Sequence, residues 1–461
     1  MNTIVTNYTT EKADTFIREK LPLLPNSIYR PSYHITAPVG WINDPNGLVY
    51  FKGEYHAFYQ YYPYGTEWGP MHWGHVKSKD LLIWEHLPVA LAPEYEYEKG
   101  GCFSGSAVVH HDKLYLIYTG HNEEKSPKEV QCAAVSEDGI HFDKFPAPII
   151  PSLPAQASED FRDPKVTWRN GKWYLFIGTS YNNRGRLVYY TSENLTNWSY
   201  QGIVLEGGAH QGTMWECVDL FSLEDKDVLI YSPMGLMDSK TRYIVGNWNK
   251  DGFETLTEGE IDHGTDFYAP QTFEDAKGRR ILIGWMNMWE KAMEEKKEGW
   301  AGALTLPREL SLLDNHLVMT PVAEWKDAVL KKHPVAVKQE NPQVNLEFTH
   351  LFFHYKGRSD QDVEWSVTSG QGDAFTLHVD SSKKHIMLNR TGMLAGEKDC
   401  LTVPLPEEAD QIELEAFIDH SAFELFINHQ LTVSLRIYFQ ETNVVFEQLS
   451  PDNETLIYSY E

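Results

Sequence analysis

The chain of 461 residues is 42% hydrophobic and 13% aromatic, which is enough apolar material for two domains with buried cores and excludes a disordered chain. Its 66 acidic and 40 basic residues give a net charge of -26, so we expect no surface for nucleic acid or for an anionic membrane. The first 20 residues lack the apolar core of a secretion signal, and no apolar run approaches a membrane span. We therefore expect a cytoplasmic protein.

The chain has four cysteines, which are Cys102, Cys132, Cys217 and Cys400. They lie far apart without the C-x-x-C spacing of a zinc site, so free thiols in a reducing compartment are expected. His72 and His75 are candidate metal ligands, but no third ligand is evident and structural hydrogen bonding is the favoured interpretation. The sequence predicts neither a metal nor a cofactor, and it leaves the oligomeric state open.

A short polar helix is predicted at 9–20, and a stretch with several prolines at 21–38 leads to the first β segment. From there an apolar run, a polar turn and a second apolar run recur five times, and each recurrence predicts a β-hairpin. The pairs are 48–51 with 55–59, 107–109 with 114–118, 166–168 with 173–177, 220–223 with 228–231, and 272–273 with 281–285. Their turns lie about 52 to 59 residues apart, which is typical of repeated supersecondary units.

A second signature, a serine that is followed by polar residues and then an aromatic residue, comes after the first three hairpins. It stands at 78–84, 136–142 and 192–198, and a weaker copy stands at 249–252. Each unit therefore has about four strands. Five such units without amphipathic helices between them predict an all-β, five-bladed β-propeller.

The pattern changes after the fifth hairpin. The segment 305–310 is expected to complete the last blade, and 321–332 has the apolar spacing of a helix. Short alternating strands follow, which predict a C-terminal antiparallel β-sandwich. The predicted strands are 346–353, 363–368, 375–379, 412–418, 423–427, 431–435 and 444–449. We thus predict a helical and extended segment at 1–30, a propeller at 31–320, a connector at 321–333 and a sandwich at 334–461.

A polar residue stands just before the first strand of each hairpin, at nearly the same phase. These residues are Asp44, Ser104, Asp163, Glu216 and Tyr268. Because the first strand of each blade lines the central channel of a propeller, the five positions should converge on one funnel. The proline after Asp44 and the proline after Asp163 suit an edge strand, which that strand is expected to be. The alternative is that Asp44 is simply a turn residue among Asn, Pro and Gly.

Three carboxylates in one pocket suit glycoside hydrolysis, which needs one carboxylic acid and one opposing carboxylate. Calcium binding is the rival, but neutral Ser104 and cationic Arg162 at the same place disfavour it. Glu216 lies in an apolar stretch that favours its protonated form, and Asp163 beside Arg162 is expected to stay ionised. Asp44 then remains as the nucleophile.

Four aromatic residues recur near the same positions, namely Trp41, Trp68, Phe103 and Trp285. Stacking on aromatic rings is one way in which a site without net charge binds the apolar faces of sugars. The alternative is that they belong to the cores, since a chain with 14 tryptophans and 25 tyrosines buries most of them.

These motifs resemble those of glycoside hydrolase family 32, which includes invertases, inulinases, levanases and sucrose-6-phosphate hydrolases. The segment 41–47 is similar to the nucleophile motif of that family, 162–164 to its transition-state-stabilising motif, and 215–217 to its acid/base motif. The resemblance runs nearly end to end and implies a propeller followed by a sandwich. It also implies a retaining β-fructofuranosidase in which Asp44 is the nucleophile, Glu216 the acid/base and Asp163 the stabiliser. Many members have a proline where this chain has Val218, which is expected to affect the pH optimum.

By the same resemblance, nine further residues are expected to bind the substrate: Trp41, Asn43, Gln60, Trp68, Phe103, Ser104, Arg162, Tyr268 and Trp285. The segment 65–75 is most similar to the bacterial sucrose-6-phosphate hydrolase branch. We therefore expect sucrose 6-phosphate or sucrose as the substrate, with short fructo-oligosaccharides as the runner-up. The alternative of a different class is a non-catalytic glycan-binding module, since a fold does not determine a function.

Overall fold

The computed structural model describes residues 6–237, 240–249, 252–337, 341–347, 349–391, 393, 400–406, 410–448 and 455–459. Helix α1 (Thr10–Lys20) comes first, as predicted. The hydroxyl oxygen of Thr9 caps this helix by accepting a hydrogen bond from the backbone N–H of Lys12 at 3.2 Å. Across the described ranges, no helix has the length and apolar character needed to cross a membrane.

Five sheets follow, and each of the first four contains four consecutive strands. These strands are β1 (Gly40–Phe51), β2 (Glu54–Tyr62), β3 (His72–Ser78), β4 (Glu85–His86), β5 (Gly101–His110), β6 (Lys113–His121), β7 (Glu129–Ser136), β8 (Asp143–Lys144), β9 (Phe161–Arg169), β10 (Lys172–Tyr181), β11 (Arg184–Ser192), β12 (Ser199–Glu206), β13 (Met214–Leu223), β14 (Lys226–Met234), β15 (Arg242–Asn249) and β16 (Gly252–Glu260). Short 3-10 turns lie at Leu21–Leu23, Glu96–Glu98, Ala209–Gln211 and Glu294–Glu298.

The fifth sheet completes a ring. The next strands are β17 (Tyr268–Glu274), β18 (Arg280–Trp285), β19 (Trp300–Ala301), β20 (Arg308–Leu313) and β21 (His316–Pro321). Strands β17, β18, β20 and β21 form the fifth sheet, and β19 pairs in parallel with β1. The first strands β1, β5, β9, β13 and β17 contact one another in that cyclic order, and β17 contacts β1. The predicted five-bladed propeller is therefore confirmed.

The inner strands are edge strands in four blades only. Strands β5, β9, β13 and β17 each end their sheets, as predicted. The start of β1 is not an edge, because β19 pairs with its residues Gly40 and Trp41. The expectation that every channel-lining strand is a free edge is wrong for this blade, because a segment that follows the fifth hairpin returns to the first blade.

The recurring serine ends the third strand of a blade. Ser78, Ser136 and Ser192 are the last residues of β3, β7 and β11. Each serine hydroxyl oxygen accepts a hydrogen bond from a backbone N–H of the turn that follows, which stabilises that turn. The weaker copy at 249–252 contains Lys250 and Asp251, which lie outside the described residues.

A short helix and a β-sandwich complete the chain. Helix α2 (Ala323–Val329) buries Trp325 and Val329. The strands that follow are β22 (Val335–Val337), β23 (Gln343–Glu347), β24 (His350–Arg358), β25 (Val363–Ser369), β26 (Ala374–Asp380), β27 (His385–Thr391), β28 (Cys400–Pro404), β29 (Gln411–Asp419), β30 (Ala422–Ile427), β31 (Leu431–Arg436), β32 (Asn443–Gln448) and β33 (Thr455–Ser459). They form two six-stranded sheets, in the orders β22-β33-β24-β29-β30-β31 and β23-β32-β25-β26-β27-β28. Apolar side chains from both sheets share one core.

One predicted strand of the sandwich is wrong. The segment 346–353 is not continuous, because β23 ends at Glu347, β24 begins at His350, and the two strands belong to opposite sheets. The alternating pattern of 346–353 contains no signal for a chain that crosses from one sheet to the other. The final residue of the predicted strand 444–449 lies outside the described residues.

Candidate active site

All five inner strands have a β-bulge near their start, at equivalent positions. The register of each inner strand against the second strand of its blade shifts by one residue, for example between Ile42 and Pro45 of β1. The extra residues include Ser104 of β5 and Asp163 of β9. Asp163 has a φ of 63°, and Cys217 of β13 has a φ of 47°, both in the left-handed region. Such bulges turn side chains out of the regular alternation, and they are frequent beside active sites.

The bulges surround a cavity of about 920 Å³. Ten of the twelve residues that the sequence predicted for the site line it: Asn43, Asp44, Gln60, Trp68, Phe103, Ser104, Arg162, Asp163, Glu216 and Tyr268. Trp41 and Trp285 are not among the lining residues. The structure therefore brings together side chains that lie up to 225 residues apart in the chain, from Asn43 to Tyr268.

Asp44 is surrounded by hydrogen-bond donors. Its Oδ2 accepts from Ser104 Oγ at 2.6 Å and contacts Cys217 Sγ at 3.4 Å, and its Oδ1 accepts from Asn43 Nδ2 at 3.0 Å. Asn43 is in turn held by Trp41, whose Nε1 donates to Asn43 Oδ1 at 2.9 Å. Burial raises the pKa of Asp44, while the donors from Ser104 and Asn43 oppose that rise. The donors fix the direction of this carboxylate and partly offset the effect of burial, although the pKa of Asp44 stays above its usual value.

Asp163 is the most deeply enclosed of the three carboxyl groups. Its Oδ2 accepts a hydrogen bond from the backbone N–H of Cys217 at 2.8 Å, and its own N–H donates to Thr119 Oγ1 at 3.1 Å. Burial raises the pKa of Asp163 to about 8, with Arg162 acting against the rise and Glu216 and Asp44 adding to it. The sequence predicted an ionised Asp163 because of its neighbour Arg162. Burial among other carboxylates outweighs that neighbour.

Arg162 binds Glu216 rather than the aspartate beside it. Its Nε and Nη2 donate to Glu216 Oε1 at 3.1 and 3.0 Å, and its Nη1 donates to Glu129 and Asp160. The other oxygen of Glu216, Oε2, accepts from the hydroxyl of Tyr268 at 2.7 Å. The apolar surroundings that the sequence predicted for Glu216 are therefore wrong. Adjacent residues on a strand face opposite ways, so its neighbour Trp215 is fully buried elsewhere.

The predicted aromatic residues have two different roles in the structure. Trp68, which is 46% exposed, meets Phe103 edge to face with ring centroids 5.9 Å apart, and both line the cavity. Trp285 is fully buried with its ring 5.9 Å from that of Trp41, so these two belong to the core behind the cavity. The expectation that Trp41 and Trp285 bind the substrate directly does not agree with their absence from the cavity lining. The cavity is lined instead by Trp289, which the sequence analysis missed and which stacks on Trp41.

Charged residues that the sequence analysis did not single out also line the cavity: Glu123, Lys128, Glu129, Asp160, Lys240, Glu290 and Lys291. Most of them stand on loops that follow the second strand of a blade, where no repeat marks a functional position. Lys128 lies 3.0 Å from Asp160, within the group of charges that extends to Arg162. The only available signal was their clustering between the hairpins.

Possible metal ligands cluster away from the cavity. In the described parts of the chain, the candidate groups are His350 with Asp419 and His420, and His354 with Glu413 and Glu415, all in the sandwich. His72 and His75 are in neither group: His72 Nδ1 contacts Pro70 O at 2.9 Å, and His75 Nε2 contacts His56 Nδ1 at 2.9 Å. The four cysteines are not paired in disulfides.

Two family models match the chain in tandem. The N-terminal domain of glycosyl hydrolases family 32 matches residues 34–321, and the C-terminal domain of the same family matches residues 323–454. The chain belongs to glycosyl hydrolase family 32. The resemblance that the sequence motifs suggested is thus confirmed.

Relatives within family 32 cover nearly the whole chain. A sucrose-6-phosphate hydrolase of Zymomonas mobilis is 39% identical over 446 residues, which are 89% of this chain and 86% of that protein. A raffinose invertase of Escherichia coli is 37% identical over 445 residues, 92% of each protein. Among solved structures, the family 32 β-fructofuranosidase BmSUC1 of Bombyx mori superposes with a TM-score of 0.88 at 37% identity, covering 98% of both chains. A mutant of that enzyme was solved in complex with sucrose.

Proposed function

We propose that the protein is a β-fructofuranosidase that hydrolyses sucrose or sucrose 6-phosphate by a double displacement. The observation that carries the proposal is the convergence of three carboxyl groups in one cavity, each with a different set of hydrogen-bond partners. Family membership and the names of the relatives support the same reaction.

Asp44 is the nucleophile in this proposal. Its carboxylate attacks the anomeric carbon of the fructosyl unit, and the bond to the leaving oxygen breaks with its electron pair going to that oxygen. Ser104 and Asn43 hold the carboxylate in one orientation, which reduces the entropy lost on reaching the attack geometry.

Glu216 supplies and recovers the proton. As a carboxylic acid it protonates the leaving oxygen, and as a carboxylate it then takes a proton from the water that attacks the anomeric carbon and releases Asp44. The side chain of Glu216 is 20% exposed, so it can reach both the leaving group and water. Tyr268 suits both states of Glu216, because a hydroxyl can donate to a carboxylate and accept from a carboxylic acid.

Asp163 binds fructosyl hydroxyl groups. With its pKa raised to about 8, its carboxyl group carries a proton near neutral pH in the free enzyme and can donate as well as accept a hydrogen bond. A proton held there also limits the electrostatic repulsion among the three carboxyl groups. Hydrogen bonds to sugar hydroxyls that strengthen in the transition state add to the rate.

The finer choice of substrate depends on the cavity wall. The similar identities of a sucrose-6-phosphate hydrolase and a raffinose invertase do not separate the two substrates. Lys128, Lys240 and Lys291 line the cavity, and their ammonium groups are the cations there that a phosphate group would bind, in exchange for neighbours such as Asp160, which lies 3.0 Å from Lys128, and Glu260, which lies 3.7 Å from Lys240. This favours sucrose 6-phosphate.

Steady-state kinetics test the proposal. We expect kcat/KM for sucrose 6-phosphate to exceed that for sucrose, and that for 1-kestose to be lower than both. A value for sucrose 6-phosphate no higher than that for sucrose would remove the phosphate preference. Asp44→Asn should lose at least the roughly 10²–10⁴-fold that is typical of a lost catalytic group, and full activity in this variant would refute the reaction as proposed.

A further inference from the structure

The segment that precedes Tyr268 is bound along its length by the sandwich domain. This segment, Asp262 to Phe267, connects β16 to β17 and lies against β31, which is an edge strand of its sheet. The backbone N–H of His263 donates to Thr432 O at 2.8 Å, and that of Asp266 donates to Ser434 O at 3.2 Å. The edge strand β31 therefore binds the segment through main-chain hydrogen bonds, in the way that a sheet edge binds an added strand.

The contact between segment and edge leaves no room for a side chain. A Cβ added to Gly264 would lie 1.9 Å from the backbone oxygen of Ser434 and 2.4 Å from its nitrogen. Asp262 adds side-chain contacts, since its Oδ1 accepts from Ser434 N at 3.0 Å. Gly264 also lines the cavity, together with Thr265. A surface of the sandwich thus supports part of the wall of the active site.

Asp266 is the centre of this attachment. Its Oδ2 accepts hydrogen bonds from the backbone N–H of Arg436 at 3.1 Å, from Arg390 Nη1 at 3.3 Å and from Thr265 Oγ1 at 2.8 Å. Arg390 also donates to Arg436 O at 2.7 Å. Asp266, Arg390 and Arg436 are all at least 97% buried, so this carboxylate binds the sandwich and does not face the cavity.

The same segment ends at a residue of the reaction centre. Tyr268 follows Asp266 by two positions and is the first residue of β17. Its hydroxyl lies 2.7 Å from Glu216 Oε2. Burial keeps the pKa of Tyr268 well above its usual value, so the hydroxyl retains its proton. Hydrogen bonds thus join Arg390 and Arg436 to Asp266, two residues of backbone join Asp266 to Tyr268, and a hydrogen bond joins Tyr268 to Glu216.

We propose that Asp266 is a positioning residue through which the sandwich domain sets the place of the Tyr268 hydroxyl, and thereby the proton transfer by Glu216. The inference rests on the proposed acid/base role of Glu216. It gives the C-terminal domain a part in the reaction although that domain supplies no residue that lines the cavity in the described structure. Small misplacements of a catalytic group are costly, since a shift of about 1 Å can reduce the rate about 10²-fold.

The test compares two substrates that differ in their need for an acid. Hydrolysis of sucrose needs protonation of the leaving oxygen, whereas a 4-nitrophenyl β-D-fructofuranoside releases a good leaving group that needs little. For Asp266→Asn we expect kcat/KM for sucrose to fall at least tenfold, and kcat/KM for the nitrophenyl substrate to fall less than threefold. Tyr268→Phe should change the ratio of the two values in the same direction. In the double variant the ratio should change no further, because both substitutions remove one coupled interaction.

Asp419→Asn is the matched control. Asp419 is also a fully buried aspartate at the junction of the two domains, where it accepts from the backbone N–H groups of Ser32 and Tyr33 at 2.8 and 2.9 Å. In the described structure the hydrogen-bond partners of its carboxylate are Ser32, Tyr33, His34 and His420, none of which belongs to the 262–267 segment. We expect this variant to lower the melting temperature without changing the substrate ratio by more than about twofold. If Asp266→Asn is not recovered folded, Arg390→Lys replaces it in the same comparison.

Three results would overturn the inference: equal losses on both substrates in Asp266→Asn, the same ratio change in Asp419→Asn, or additive changes in the double variant. Glu216→Gln separates this failure from a failure of the proposed function. If Glu216→Gln changes the ratio and Asp266→Asn does not, only the positioning role is wrong. If Glu216→Gln itself leaves the ratio unchanged, Glu216 is not the acid.

Discussion

The raised pKa of Asp163 makes a prediction about stability that is separate from activity. A carboxyl group with a pKa of about 8 in the folded protein and about 3.9 in the unfolded chain holds a proton only in the folded state between those values. Its contribution to stability is fully present below about pH 3.9 and is lost as the pH rises through 8. At 1.36 kcal/mol per pKa unit, the loss at pH 7 is about 4 kcal/mol.

Asp163→Asn should remove this loss. The asparagine has nearly the same shape, its side-chain oxygen can still accept from the backbone N–H of Cys217, and it never ionises. We expect the variant to be nearly inactive and yet more stable than the parent at pH 7, by up to about 4 kcal/mol. The difference should shrink towards pH 4 and grow towards pH 9.

Thermal and urea unfolding from pH 4 to pH 9 measure this difference. Asp219→Asn is the control, because Asp219 is a buried aspartate of the neighbouring inner strand that is paired with Lys165 Nζ at 2.8 Å. Its replacement leaves the buried Lys165 without an anionic partner and should destabilise the protein by about 3–5 kcal/mol. If Asp163→Asn were no more stable than the parent at pH 7 to 9, or if the difference did not depend on pH, the account of the buried carboxyl cluster would be refuted.

Three further predictions concern single side chains. Glu216→Gln should lower kcat/KM about 10²–10⁴-fold for sucrose but much less for the nitrophenyl substrate, and parallel losses would contradict its role as acid. Ser104→Ala removes a donor that stabilises the Asp44 carboxylate, so the acid limb of the kcat/KM profile should move to higher pH; an unmoved limb counts against Asp44 as the ionised group. His34 lies between the buried carboxylates of Asp419 and Glu424. Burial lowers the pKa of His34, but the hydrogen bonds to these two carboxylates raise it overall. That contribution to stability is present below about pH 6.5 and is lost at higher pH, so urea unfolding of His34→Gln should show a loss that is larger at pH 5.5 than at pH 9.

The parts of this fold that sequence could predict are those with local causes. Turn residues and apolar alternation mark all five hairpins, and their common period places Asp44, Ser104, Asp163, Glu216 and Tyr268 on equivalent strands. The convergence of these residues in one cavity then follows from the geometry of a ring.

The parts that sequence could not predict depend on irregular or long-range geometry. A bulge changes which way a side chain points, so the adjacency of Arg162 and Asp163 gave the wrong ion pair, and Arg162 binds Glu216. Trp41 lies in a family motif and Trp285 lies near the end of a blade. Only the packing of the folded protein buries both of them in the core behind the residues that line the cavity. The attachment of Asp266 to the sandwich joins residues more than 120 positions apart, for which the sequence has no local signal.

The stereochemistry of transfer shows whether the reaction passes through a covalent intermediate on Asp44. Attack by Asp44 followed by attack of an acceptor gives two inversions and therefore net retention. Reaction of sucrose in aqueous methanol traps part of the product as a methyl fructofuranoside, whose anomeric configuration does not equilibrate and can be assigned by NMR. We expect methyl β-D-fructofuranoside from the parent protein and none from Asp44→Asn. Formation of the α anomer would contradict a covalent intermediate on Asp44.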